Sequence, residues 1–323
     1  MTKIDLITGI LGSGKTTFIR KYAEYSARNG EKTAILVNDF GAVNADMVML
    51  QDIKSDNCSI EMIMGGGDHD CHKRRFKTQL ISLGMQNYDR VIVEPSGIFD
   101  MDEFFDILYE TPIDRWYTIG SVITIIEADM ADRMTEQMEY FLASEAADCG
   151  KLLVSKLEEN ADETETADRL LAHINRSLAG INCDRLFSSG DIIVKSWNRL
   201  NDEDFRQLAL SGYRNSRYIK KFSFEEIKSS VHYFMNISIP EDKISEIIDG
   251  IMDDEKCGRI YRIKGALPCQ NGWMRINAVS GKTEMSSIKE GQSVIIVIGD
   301  ELDKNAIDTH FIKHNTNNDY VSI

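Results

Sequence analysis

Gly9-Ile10-Leu11-Gly12-Ser13-Gly14-Lys15-Thr16 stands between an apolar run, residues 4–8, and a stretch that opens Thr17-Phe18-Ile19-Arg20 with helical spacing. A glycine-rich turn from strand to helix lets backbone N–H groups close on a polyphosphate at the positive end of the helix dipole. The octet is a complete phosphate-binding loop, and the strand before it and helix after it separate it from a chance glycine-rich linker. Gly9, Gly12 and Gly14 supply conformations and room that side chains deny. With Ser13, Lys15, Thr16 and Thr17 they make the expected nucleotide-binding set. Lys15 reaches the β- and γ-phosphates as a point charge, and the Thr16 hydroxyl takes one place on the Mg²⁺ that bridges them.

Outward from the loop, strand-like runs at 4–8, 33–38, 90–94, 121–127, 151–155 and 192–196 alternate with amphipathic segments such as 16–29, 72–83 and 162–178. Alternation of this kind predicts βαβ units, hence an α/β fold whose mostly parallel sheet carries helices on both faces. Ligands in such sheets bind beyond the carboxyl ends of the strands. This first domain is expected to span 1–212. After about residue 210 the pattern changes, and 217–323 reads as a smaller α+β domain on a mixed sheet. Its expected strands are 218–224, 258–265, 272–279 and 293–298, its helices 239–252 and 303–314, and the polar tail 315–319 reads as frayed.

The 323 residues are 42% hydrophobic, enough for sizeable cores, and carry a net charge of −15, which argues against a general nucleic-acid surface. Six scattered cysteines lack the density of a disulfide scaffold. Neither a signal-peptide pattern nor a membrane-length apolar run is seen, so the expectation is a cytoplasmic protein with no nucleic-acid or membrane partner.

Three further segments carry chemistry. Val37-Asn38-Asp39-Phe40-Gly41 puts an acid after the second strand. Asp39 can meet Mg²⁺ directly or through water, serve a second metal in a γ-phosphate-sensing loop, or close the strand as an Asx turn. Val91-Ile92-Val93-Glu94-Pro95-Ser96-Gly97 puts Glu94 where nucleoside triphosphatases hold their Mg²⁺-linked acid, and Gly97 can offer its N–H near the γ-phosphate. Ser155-Lys156-Leu157-Glu158 follows a later strand. There the Glu158 carboxylate can accept two hydrogen bonds from the guanine edge while the Lys156 stem packs on the ring.

The most distinctive stretch is Gly67-Asp68-His69-Asp70-Cys71-His72. Two carboxylates, two imidazoles and a thiol within five residues suit a transition metal of intermediate softness. Alternatively, Asp70 caps a helix beginning near Cys71.

The order of these motifs resembles the CobW-like P-loop GTPases, a family associated with metal delivery and metallocofactor assembly, and the resemblance runs over nearly the whole chain. Asn38-Asp39-Phe40-Gly41 resembles the family's Asn-Glu-Phe-Gly, Glu94-Pro95-Ser96-Gly97 its Glu-x-x-Gly, and Ser155-Lys156-Leu157-Glu158 its guanine loop. Arg262-Ile263-Lys264-Gly265, Gly272-Trp273, Gly291-Gln292, Val297-Ile298-Gly299 and Leu302-Asp303 are similar to its C-terminal domain. The family's Gly-Cys-x-Cys-Cys becomes Gly67-Asp68-His69-Asp70-Cys71, so two thiolates are carboxylates. That hardens the site toward Co²⁺, Ni²⁺, Fe²⁺ or a nitrogen- and oxygen-rich Zn²⁺ site, with His69 or His72 as the replacement ligand.

The resemblance implies a GTPase that binds GTP and GDP, with Lys15, Glu94 and Asp39 as catalytic groups, Mg²⁺ on Thr16 and Glu94, and slow turnover until a client metalloprotein docks. In it GTP gates binding and delivery of a transition metal. The alternative is a GTP-driven reactivator of a corrinoid or nickel enzyme that carries no metal itself. The second domain is the expected contact for the client or for the partner subunit of a homodimer. The long His-rich insertion of some relatives is missing, which argues against storage, and His310 and His314, four apart on a helix, read as surface residues.

Overall fold

The computed structural model of the chain describes residues 1–10, 12–38, 50, 53–63, 69–95, 101–130, 134, 136–222, 231–269, 272–279, 282–288 and 291–322. They form two compact units, one ending at Phe222 and one beginning, among the described residues, at Val231.

The first unit is built on seven strands: β1 (Thr2–Thr8), β2 (Thr33–Asn38), β3 (Cys58–Ile63), β4 (Arg90–Glu94), β5 (Tyr117–Glu127), β6 (Lys151–Ser155) and β7 (Ile192–Ile193). They lie in the order β3-β2-β4-β1-β5-β6-β7, and every described pairing is parallel. All five residues of β4 are buried, as expected where helices cover both faces of a parallel sheet. The helices are α1 (Lys15–Arg28), α2 (His69–Gly84), α3 (Met101–Tyr109), α4 (Glu136–Ala147), α5 (Glu163–Gly180) and α6 (Asp202–Ala209). α1 buries Phe18, Ile19, Tyr22, Ala23 and Ser26, the 3–4 spacing of one face. Asp162 starts α5 by accepting from the N–H groups of Thr164 and Glu165, and Asn201 starts α6 with a capping box closed by Asp204.

Because the strands are parallel, β1, β2, β4, β5 and β6 all deliver their carboxyl ends to one edge. Val37 pairs with Glu94, Asn38 with Ile63 and Glu127 with Ser155. β1 is the strand from which the chain departs to either side, so the phosphate loop leaves the sheet at its switch point. Toward the other end of β1, Asp5 is enclosed by Arg90, by the Tyr22 hydroxyl at 2.8 Å and by the Ser121 N–H at 2.7 Å. Glu31 holds the far side of the Arg90 guanidinium at 2.9 Å.

The second unit holds β8 (Val231–Met235), β9 (Arg259–Cys269), β10 (Gly272–Val279), β11 (Lys282–Ile288), β12 (Val294–Asp300) and β13 (Val321–Ser322), in the order β11-β10-β9-β12-β8-β13. α7 (Ile244–Asp253) and α8 (Lys304–Ile312) bury Ile247, Ile251, Ile307 and Phe311 in one core with Phe234 and Val297 of the sheet.

Three expectations are corrected. The second sheet is antiparallel at every described pairing, not mixed, because hairpins and short returns join its strands. The run expected as a strand at 218–224 has no strand at 218–222, the part within the described residues. The tail is fastened rather than frayed: the Thr316 N–H donates to the Ser238 carbonyl at 2.9 Å, Asn315 Oδ1 accepts from the Ser238 N–H at 2.8 Å, and Val321 pairs with Met235. Among the described residues no helix is long and apolar enough to cross a membrane.

Candidate functional site

The loop after β1 folds as its glycines require. Gly9, Gly12 and Gly14 have φ of 135°, 88° and 102°, all in the region side chains avoid. A Cβ on Gly9 would stand 2.4 Å from the Ile125 carbonyl oxygen, and one on Gly14 would stand 3.0 Å from the Trp197 ring. The first contact requires glycine, and at Gly14 the positive φ does. The Ser13 N–H donates to the Ile10 carbonyl at 3.0 Å, closing the turn, and the Ser13 hydroxyl is buried with no hydrogen-bond partner among the described residues.

Gly14 caps α1 without a side chain and no acid follows in the first turn, whereas α5 and α6 both have acids there. The first amides of α1 and its positive dipole end are thus left for an anion. Lys15 is buried and its ammonium donates to the Gly9 carbonyl at 2.6 Å, so the charge is folded over the loop. Thr16 is buried beside it, and Thr17 is exposed.

The Thr16 hydroxyl donates to Glu94 Oε1 at 2.6 Å, and Glu94 is buried at the end of β4. Two oxygen donors of the kind Mg²⁺ prefers therefore meet beside the loop. Ser155 is buried, with its hydroxyl on the Ile126 carbonyl at 3.2 Å. Lys156 takes the left-handed conformation, φ 54°, and its ammonium pairs with Glu127 at 2.6 Å. Glu158 is exposed and faces no described partner closely enough to bond.

Three residues of this edge were missed in the sequence. Glu127 ends β5 as Glu94 ends β4, and the same rule would have found it. Glu145 is the lone carboxyl inside the otherwise uncharged α4 run Tyr140-Phe141-Leu142-Ala143-Ser144-Glu145-Ala146-Ala147. It lies buried, takes a hydrogen bond from the Gly9 N–H and feels the Lys15 charge; burial outweighs both and pushes its pKa up to about 7. Trp197 donates from Nε1 to the Val154 carbonyl at 2.7 Å and lays its ring against Gly14 and Phe18, for which nothing local in the sequence gives a sign.

Asp39, Gly97 and Asp68 lie outside the described residues. His69, Asp70, Cys71 and His72 form the first turn of α2, with the side chains of His69, Asp70 and His72 likewise outside. The helix begins at His69, so Asp70 sits within it and is not its cap, which corrects the expected start near Cys71. Cys71 is half-buried.

Residues 3–182 match the family described as CobW/HypB/UreG, nucleotide-binding domain. The chain belongs to this family. Among curated relatives of this CobW/HypB/UreG protein, the zinc chaperone YeiR of Escherichia coli (strain K12) is 25% identical over 341 residues, covering 97% of this chain and 98% of YeiR. The zinc chaperone YjiA of the same organism is 27% identical over 181 residues, covering 53% of this chain and 54% of YjiA. Among solved structures, Zn(II)-bound YjiA GTPase from E. coli aligns over 97% of this chain and 98% of its own, at 16% identity and a TM-score of 0.36.

Proposed function

We propose that this CobW/HypB/UreG protein is a GTP-hydrolysing metallochaperone in which the nucleotide gates binding and delivery of a transition metal, with Zn²⁺ as the leading cargo. The observation that carries the reading is the convergence at one sheet edge of the phosphate loop, Glu94 and the strand end that precedes the Gly67–His72 stretch. The name zinc chaperone borne by YeiR, matched over nearly its full length, supports the choice of cargo.

In this reading GTP draws Lys15 from the Gly9 carbonyl onto its β- and γ-phosphates, and the amides that open α1 hold the phosphate oxygens. Thr16 and Glu94 fit Mg²⁺, which when bound neutralises charge on the phosphates. Glu94 also orients the attacking water, and Gly97 donates to the γ-phosphate. Glu158 reads guanine beside the Lys156 stem. Asp39 and the Asp68, His69, Asp70, Cys71 and His72 group follow β2 and β3, neighbouring strands, so a γ-phosphate that orders one loop orders the other. Hydrolysis then loosens the cargo site toward a client.

The test is a Co²⁺ titration, followed by absorption, of full-length protein holding Mg²⁺ and either GDP or a non-hydrolysable GTP analogue. A thiolate charge-transfer band that grows with the analogue and is lost in Cys71→Ser is the expected result. A titration indifferent to both nucleotide and Cys71 overturns the carrier reading, and GTP hydrolysis surviving Lys15→Ala overturns the enzyme.

A further inference from the structure

The C-terminal unit contains a second set of metal-ligand side chains that no nucleotide motif accounts for. α7 ends at Asp253, and Asp254 caps the single 3-10 turn Glu255–Cys257 by accepting from the Lys256 N–H at 3.0 Å. A 3-10 helix repeats every three residues, so Asp254 and Cys257 fall on one side of the turn. To that side α8 brings His310, whose Nε2 lies 2.9 Å from Asp254 Oδ2. One donor atom from each of Asp254, Cys257 and His310 lies within 4.8 Å of the other two. We propose that these three residues form a Zn²⁺-class metal site of the C-terminal unit, separate from the Gly67–His72 stretch.

The donor set argues for the metal. An imidazole, a carboxylate and a sulfur together make the borderline-soft combination that Zn²⁺ and its late first-row neighbours take. Donors on one tetrahedral ion stand about 3.3–3.8 Å apart, so closure calls for shifts of roughly 1 Å. Asp254 and His310, with 32% and 24% of their side chains exposed, have that freedom, while Cys257 is fully buried.

The scaffold beneath is fixed. His310 sits between Ile307 and Phe311, both at 0% exposure, and the Phe311 ring packs on Phe234 with centroids 5.0 Å apart. The Asp303 N–H donates to the Cys257 carbonyl at 3.2 Å, which ties the turn to the start of α8. Donors held on packed elements in this way are preorganised. Asp303 Oδ1 accepts from the N–H groups of Asn305 and Ala306, and among the described residues the donor group comprises Asp254, Cys257 and His310, which leaves the fourth coordination position to water or an incoming ligand. Three protein ligands and one open position make an exchangeable site rather than a structural one. On binding, the Cys257 sulfur bonds the ion and its proton leaves to solvent.

The site does not depend on the nucleotide reading, and the experiment separates them. Full-length Cys71→Ser protein with GDP is titrated with Co²⁺ and back-titrated with Zn²⁺. Expected are tetrahedral Co²⁺ absorption and a thiolate charge-transfer band that are unchanged by the GTP analogue, displaced by Zn²⁺ and absent in Cys71→Ser/Cys257→Ser. His310→Gln, at a partly exposed position, should weaken Co²⁺ binding by roughly tenfold or more while the metal-free protein stays folded, read by circular dichroism. No thiolate band in Cys71→Ser overturns the site. So does unchanged Co²⁺ affinity in His310→Gln, whether or not the Cys257 variant folds. A lost nucleotide-dependent component with this band intact overturns only the carrier reading.

Discussion

The Thr16 hydroxyl donates to Glu94 Oε1 across 2.6 Å, joining the first turn of α1 to the carboxyl end of β4. Both side chains are buried, so the carboxyl group of Glu94 is held in place before any ion arrives. Glu94→Gln keeps the shape and removes the charge. We expect the Mg²⁺ concentration that half-saturates GTP hydrolysis to rise and single-turnover hydrolysis to fall by roughly 10²-fold. Nucleotide affinity in EDTA should stay near that of the parent. An unaltered Mg²⁺ dependence would remove Glu94 from the ion.

Arg90 and Asp5 form a buried pair that also engages Tyr22 and Glu31, and it fastens β1 to β4 away from the phosphate edge. Removing one member leaves an uncompensated buried charge, a loss of about 3–5 kcal/mol. Arg90→Met should therefore lower the urea midpoint sharply. Asp5→Leu/Arg90→Met should recover part of the loss, since no fully buried charge is then stranded and Glu31 is partly exposed. A double variant as unstable as the sum of the single ones would show that the two residues act separately.

Legibility in the sequence followed locality. The loop from Gly9 to Thr16 and strands β2, β4 and β6 are contiguous signals, and the latter three span the residues expected of them. β3, Cys58-Ser59-Ile60-Glu61-Met62-Ile63, escaped notice because it is an edge strand only partly buried, without the unbroken apolar run of β4. β11, Lys282-Thr283-Glu284-Met285-Ser286-Ser287-Ile288, is polar and owes its existence to seven paired positions with β10. The run at 218–224 read as a strand, but no strand forms over 218–222, where the Ile219 N–H donates to the Ile181 carbonyl at 2.8 Å. Glu145 reaches the loop from more than a hundred residues away. His310 read as a surface residue because Asp254 and Cys257 meet it only through the packing of α8.

Glu158 is exposed three residues beyond β6, where no described residue bonds its carboxylate. If it reads the guanine edge, it accepts from the ring N–H and the exocyclic amine, and charged hydrogen bonds of this kind contribute about 1.5–3 kcal/mol. Inosine nucleotides keep the first donor and lack the second. The parent protein should bind GDP more tightly than IDP, and Glu158→Ala should weaken GDP by roughly tenfold or more while erasing the preference. Calorimetric titration with both nucleotides checks this. A preference retained in Glu158→Ala would move base reading to another residue.

Glu145 couples the phosphate loop to pH. Its carboxyl titrates near 4.5 when solvated and at about 7 in the folded protein, because burial outweighs the Lys15 charge and the Gly9 N–H. Between those values the folded state keeps a proton that the unfolded chain releases, so this group costs stability as pH rises through the window and costs no more above it. Glu145→Gln cannot ionise. Its advantage over the parent should be near zero at pH 4.5 and grow to about 3 kcal/mol by pH 8, read from urea unfolding across the range. Nucleotide phosphates that engage Lys15 add negative charge above Glu145, which raises its pKa further and draws in a proton. GDP binding near pH 7 should then take up protons, seen as a dependence of the binding enthalpy on buffer ionisation, and this dependence should shrink in Glu145→Gln. Equal buffer dependence in the two proteins would disconnect Glu145 from the nucleotide.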